Sequence, residues 1–111
     1  MNRIPAPLRN WALALALPLG FSIPAQAAEP IRIGSVLSIT GAASYIGDPE
    51  AKTLKLYADQ INADGGVLGR QIELVTYDDA GDANKARTFA QRLVERDNVV
   101  AMVGGSTTGT T

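Results

Sequence analysis

The sequence predicts an α/β fold: a three-layer arrangement with a parallel sheet covered by helices on both faces. Three observations predict it. After an N-terminal apolar stretch the chain alternates strand and helix signals, in the order strand, helix, strand, helix, strand. That alternation favours a parallel sheet with right-handed crossovers. The first predicted strand is apolar without clean alternation, which suits a sheet covered on both faces, and the third is short and wholly apolar. Both of these strands run into loops rich in glycine and hydroxyls, Thr40-Gly41-Ala42-Ala43-Ser44-Tyr45-Ile46-Gly47 and Gly104-Gly105-Ser106-Thr107-Thr108-Gly109.

The first predicted strand is IRIGSVLSI, residues 31–39. Asp48-Pro49-Glu50 then reads as a helix start, with Asp48 as cap, Pro49 in the first helical position and Glu50 at the positive end of the dipole. Ala51, Leu54, Ala58 and Ile61 follow at helical spacing. Gly65-Gly66 ends the helix, with one glycine supplying the left-handed residue. Residues 70–77, RQIELVTY, form the second strand, and 78–82, DDAGD, a turn. Asp82 caps a second helix whose apolar positions are Ala83, Ala86, Phe89, Ala90, Leu93 and Val94, and Asp97-Asn98 ends it. Residues 99–103, VVAMV, are the third strand. The commoner winding for this pattern is the order 2-1-3, which puts the helices on opposite faces and both hydroxyl loops at one crevice, outside the carboxyl ends of strands 1 and 3.

Composition narrows the function. The chain has 111 residues, ten basic and eleven acidic, with a net charge of −1. No basic patch points to nucleic acid. Cysteine and histidine are both absent. Thiolate chemistry and disulfides are therefore excluded, together with the most frequent general base and metal ligand. Asp78, Asp79 and Asp82 lack the alternation and closing glutamate of a calcium loop, and a strand end plus a helix cap accounts for them. The glycines at 104, 105 and 109 match neither the dinucleotide fingerprint nor the P-loop. No base–nucleophile pair is present, so an enzyme is disfavoured and no cofactor is expected.

The first 28 residues read as an export signal. Arg3 and Arg9 precede the apolar run of residues 11–19, which is too short to span a bilayer, and Ala25-Gln26-Ala27 fits a cleavage site. Residues 29–111 are then the exported part, about 83 residues, the low end of what one core supports. The sequence ends two residues after Gly109, so the expected product is an incomplete lobe with strand 3 as an open, aggregation-prone edge.

Ser106, Thr107 and Thr108 sit where a third helix should begin. They can cap it, or with its free N–H groups hold a carboxylate. Ser44 and Tyr45 would face the same crevice, with Tyr45 offering an apolar ring and a polar tip, or merely packing in its loop.

These segments together resemble the start of the periplasmic branched-chain amino-acid-binding proteins, the Leu/Ile/Val-type substrate-binding components of ABC transporters. The most specific pieces are Gly41 with Gly47-Asp48, the Asn62-Ala63-Asp64-Gly65-Gly66 turn followed by Gly69, and Tyr77-Asp78-Asp79. The resemblance covers the whole of residues 29–111 and implies the first half of the N-terminal lobe of a type I periplasmic binding protein, a fold of two α/β lobes joined by a hinge. It implies an amino acid or related small carboxylate as ligand, its α-carboxylate held around Ser106, Thr107 and Thr108. Ser44, Tyr45 and Ile46 would line the side-chain pocket, Ile46 or Tyr45 standing near the place where some relatives carry tryptophan. It also implies a periplasmic location and, as partners, a membrane permease and an ATPase. The alternative function on the same fold is a ligand-binding sensor or receptor domain. Sequencing the N-terminus of the secreted protein should give a start at Ala28 or Glu29. A mature protein that retains Trp11 contradicts the export reading.

Overall fold

The computed structural model describes Gly20, Ser22 and residues 28–111, and the export signal of residues 1–28 lies almost wholly outside them. The elements are β1 (Ile31–Leu37), α1 (Ser44–Ala63), β2 (Ile72–Asp78), α2 (Ala83–Glu95), β3 (Ala101–Gly104) and a short 3₁₀ turn (Thr108–Thr110). All pairings are parallel and the sheet order is β2-β1-β3, as expected for this alternation. Ile31 stands opposite Ile72 and Leu37 opposite Asp78, while Ile33 stands opposite Ala101 and Val36 opposite Gly104. The carboxyl ends of all three strands therefore fall at one edge of the sheet.

The tightest core lies between the sheet and α2. Leu93 is 0% exposed and packs with Val36 and Ala86, and Val75, Tyr77, Phe89 and Val99 close around them. Gly34 leaves room for Leu93: a Cβ there would lie 2.9 Å from Leu93 Cδ1. Tyr77 and Phe89 stack at 4.8 Å, and the Tyr77 hydroxyl donates to Asp97 Oδ2 at 2.9 Å. Asp82 caps α2 as expected, its Oδ1 accepting from the Asn84 and Lys85 N–H groups at 2.8 and 2.9 Å.

Several boundaries differ from the sequence expectation. Strand β3 runs from Ala101 to Gly104, not over 99–103, because the Val99 N–H donates back to the Leu93 carbonyl at the end of α2. Helix α1 begins at Ser44, not beside Asp48. The Ile46 and Gly47 N–H groups already donate to the Ala43 carbonyl, so a turn is wound before Asp48 is reached. Asp48 is not the cap; it pairs with Lys52 at 2.6 Å, and Pro49 lies inside the helix. Proline there removes a helical hydrogen bond. The turn is held by a tertiary contact instead: a Cβ on Gly47 would fall 2.1 Å from the Ser38 carbonyl oxygen, so only glycine lets α1 seat on the β1 exit. Strand β1 stops at Leu37, not at residue 39, because side-chain oxygens take the next N–H groups. Strand β2 starts at Ile72 because Val67 and Arg70 pair with each other across a tight turn at Leu68-Gly69, where both residues have positive φ. Asn62 then bonds both backbone groups of Ile72, donating to its carbonyl at 2.8 Å and accepting its N–H at 2.7 Å.

Truncating Leu93 to alanine should open a cavity that this core cannot fill and lower stability by about 2–5 kcal/mol. That is a large share of the roughly 5–15 kcal/mol total of an ordinary domain. Urea unfolding checks it, and an unchanged midpoint would contradict the placement of the core.

Candidate functional site

Where the three strands end, a set of side-chain oxygens replaces the sheet as hydrogen-bond partner. Asp78, the last residue of β2, turns its carboxylate toward the chain leaving β1. Its Oδ1 accepts from the N–H groups of Ile39 at 2.9 Å, Thr40 at 3.1 Å and Ala80 at 2.9 Å, and its Oδ2 accepts the Thr40 hydroxyl at 2.6 Å. Asp79 is 0% exposed. Its Oδ1 accepts the Ser38 hydroxyl at 2.6 Å and the Gly81 N–H at 2.7 Å, while its Oδ2 is buried without a partner among the described residues. The Ser38 N–H in turn donates to Ser106 Oγ at 3.0 Å, and the Ser106 hydroxyl donates to Glu50 Oε2 at 2.5 Å. The polar chain thus runs Asp79–Ser38–Ser106–Glu50 and joins the exits of β2, β1 and β3 to helix α1.

Ser106 and Thr107 are half-buried and Thr108 is exposed. Thr107 and Thr110 close on each other: their hydroxyl oxygens are 3.1 Å apart, and the Thr110 N–H donates to the Thr107 carbonyl at 3.1 Å. This is capping geometry over a single 3₁₀ turn. Ser44, Tyr45 and Ile46 lie in the first turn of α1, not in a loop, and Tyr45 is 76% exposed. Among the described residues no hydrogen bond joins positions 44–46 to positions 106–108. The two loops are linked one step away, through Ser38 and Glu50. A hollow of about 530 Å³ is lined by Leu37, Pro49, Glu50, Thr53, Val103 and Gly105, among others. None of the six sequence-predicted site residues lines it; it lies beside β3 and beneath the start of α1, next to Ser106.

Sequence reasoning passed over four residues of this seam. In the sequence alone Ser38 reads as strand, Asp78 and Asp79 as turn residues, and Glu50 as a dipole partner. The signal that would have found them is the register, which sets Leu37 opposite Asp78 and hence the two strand exits side by side. Among the described residues no cluster of three acidic, histidine or cysteine side chains could hold a metal ion, and no helix is long and apolar enough to cross a membrane.

Burial pushes the Asp78 carboxyl up, but the hydrogen bonds from Thr40, Ala80 and Ile39 outweigh it and hold the group below its ordinary value. The Lys85 and Asn84 N–H groups hold Asp82 down in the same way. A carboxyl depressed in the folded state binds fewer protons there than in the unfolded chain. Its contribution is full above the ordinary value of 3.8 and is lost as pH falls through the folded value. Acid should therefore destabilise the protein from about pH 4 downward. Asp78→Asn should lower stability at neutral pH and flatten that acid loss, and urea unfolding across the pH range reads both effects. An acid slope identical to wild type would remove Asp78 from this role.

Comparison with known proteins agrees with this fold. The periplasmic binding protein family matches residues 30–111. The Leu/Ile/Val-binding protein homolog 7 of Brucella melitensis is 38% identical over 98 residues, covering 88% of this chain and 24% of the relative. A leucine-, isoleucine-, valine-, threonine- and alanine-binding protein of Pseudomonas aeruginosa is 38% identical over 93 residues, covering 84% of this chain and 24% of the relative. The crystal structure of a branched-chain amino acid transporter substrate-binding protein from Streptococcus pneumoniae, in complex with isoleucine, superposes with a TM-score of 0.71 at 36% identity. That superposition covers 73% of this chain and 23% of the other. The chain spans about a quarter of the length of the curated relatives it matches. Its β-α-β-α-β order, its 2-1-3 sheet and the match over residues 30–111 place the chain in the periplasmic binding protein family.

Proposed function

We propose that this chain contributes the opening of an extracytoplasmic solute-binding protein. It captures an amino acid of the branched-chain type, or a related small carboxylate, and delivers it to the permease and ATPase of an ABC transporter. The observation that carries this reading is the superposition, at 36% identity, on a substrate-binding protein solved with isoleucine. The names of the Brucella and Pseudomonas relatives support the same ligand class. The work assigned to the chain is binding rather than catalysis, in keeping with a sequence that has no histidine, cysteine or base–nucleophile pair.

The ligand site lies at the carboxyl ends of β1 and β3. Ser106, Thr107 and Thr108 surround the ligand carboxylate, an acceptor-only group that needs N–H and O–H donors. Ser44, Tyr45 and Ile46 border its side chain from the first turn of α1. The bond between Ser38 and Ser106 supports this assignment, because it draws the exits of β1 and β3 to one place. Export of residues 29–111 after removal of residues 1–28 belongs to the same reading.

Calorimetric titration of the full-length protein with L-leucine, L-isoleucine and L-valine tests it. Thr107→Ala and Thr108→Ala should each weaken binding by about 1–3 kcal/mol, the loss of a hydrogen bond to a charged group. Thr107→Ala should also lower thermal stability, since Thr107 pairs with Thr110. Wild-type affinity in both variants would reject the carboxylate role. A loss of stability alone would leave these threonines as caps.

A further inference from the structure

Glu50 occupies an unexpected position for a carboxylate. The inward stripe of α1 runs through Gly47, Ala51, Leu54, Ala58 and Ile61, all buried or half-buried, and Glu50 lies on the same side, three residues after Gly47. Gly47 is the residue that seats the helix on the Ser38 carbonyl, so Glu50 is carried over the exits of β1 and β3. The half-buried carboxylate finds a partner there in the Ser106 hydroxyl, at 2.5 Å.

This pairing settles what Ser106 has left to offer. A serine hydroxyl has one proton and two lone pairs. The proton goes to Glu50 Oε2, and one lone pair accepts the Ser38 N–H. What remains is an acceptor. A ligand carboxylate is also an acceptor, so it gains no hydrogen bond from this oxygen. Thr108 is in the opposite condition: it is exposed, and among the described residues its hydroxyl has no partner.

We propose that Glu50 is a positioning residue of the ligand site: by taking the proton of Ser106 it fixes the β3 exit loop against β1 and α1, leaving Thr108, not Ser106, to donate a hydroxyl to the ligand carboxylate. This rests on the reading of the site given above. In this role Glu50 acts through Ser106, and Asp79 steadies the far end of the same chain by holding the Ser38 hydroxyl.

The test uses the full-length protein, with calorimetric titration of L-leucine, L-isoleucine and L-valine and amide hydrogen exchange at Ser38 as two readouts. Glu50→Gln keeps an acceptor oxygen for the Ser106 proton. It should retain both the exchange protection of Ser38 and an affinity within about threefold of wild type, well under the tenfold that 1.4 kcal/mol represents. Glu50→Ala removes the acceptor and should speed exchange at Ser38 and weaken binding, each by about tenfold, the equivalent of one hydrogen bond. Ser106→Ala should reproduce Glu50→Ala. Thr108→Ala should weaken binding with Ser38 exchange unchanged. Wild-type exchange and affinity in Glu50→Ala overturn the proposal. So does a loss of affinity in Ser106→Ala that Glu50→Ala does not share, since Ser106 would then donate to the ligand itself. If Glu50→Ala fails to fold, a loss of Ser38 protection in Glu50→Gln overturns it and retention supports it. If the wild type binds none of the three amino acids, the functional reading falls, and Ser38 exchange in the Glu50 variants alone decides the positioning role.

Discussion

Every parallel sheet leaves backbone N–H groups without a strand partner where its strands end, and here those groups are satisfied by side-chain oxygens. The rest of the site follows from that substitution. Strand β1 ends at Leu37 because the next three N–H groups go to Ser106 Oγ and to Asp78 Oδ1, which takes two. Each of these bonds joins residues about 40 to 70 positions apart in the sequence, so they hold separate exits together and do not merely finish one turn. Buried polar groups are costly when unpaired. Ser38 and Asp79, both fully buried, are tolerable because each is bonded to the other. The weak point is Asp79 Oδ2, which has no partner among the described residues.

The two faces of the sheet do different work. The α2 face carries the densest apolar packing, where Leu93 meets Gly34 and Val36 and the Tyr77–Phe89 stack closes one side. Arg92 lies 5.4 Å from the Tyr77 ring centre and Asp97 accepts the Tyr77 hydroxyl, so that aromatic pair is pinned at its polar tip as well. The α1 face is looser. Its helix makes a backbone-to-backbone contact at Gly47 and a polar contact at Glu50, and the hollow beside β3 lies between them and Val103. Close apolar packing thus lies on one face of the sheet, and a polar, more open arrangement on the other.

Much of this was legible in the sequence because the signals were local. The strand and helix alternation, the Asp82 cap, the Gly65-Gly66 stop and the apolar spacing of α2 each depend on residues within a few positions of one another. The sheet order 2-1-3 was expected only as the commoner winding for this alternation, and the structure has it. The start of α1 was misplaced for the same reason that local signals work. Asp48-Pro49-Glu50 is a good helix start on its own, and only the close seat of Gly47 on Ser38 shows that the helix has begun a turn earlier.

The sequence by itself determined the elements and their order along the chain, and the hydroxyl and carboxylate groups that stand near the ends of strands 1 and 3. It did not determine which groups pair. A hydroxyl that donates to Glu50 and one left exposed at Thr108 read alike as letters, and Asp78 and Asp79 read alike as turn residues. Their different roles depend on the register that sets Leu37 opposite Asp78, and on the seat of α1 that carries Glu50 over Ser106. Both are distances between parts of the chain far apart in sequence. A hydrogen bond is made or lost over a few tenths of an ångström, so only the tertiary structure could decide them.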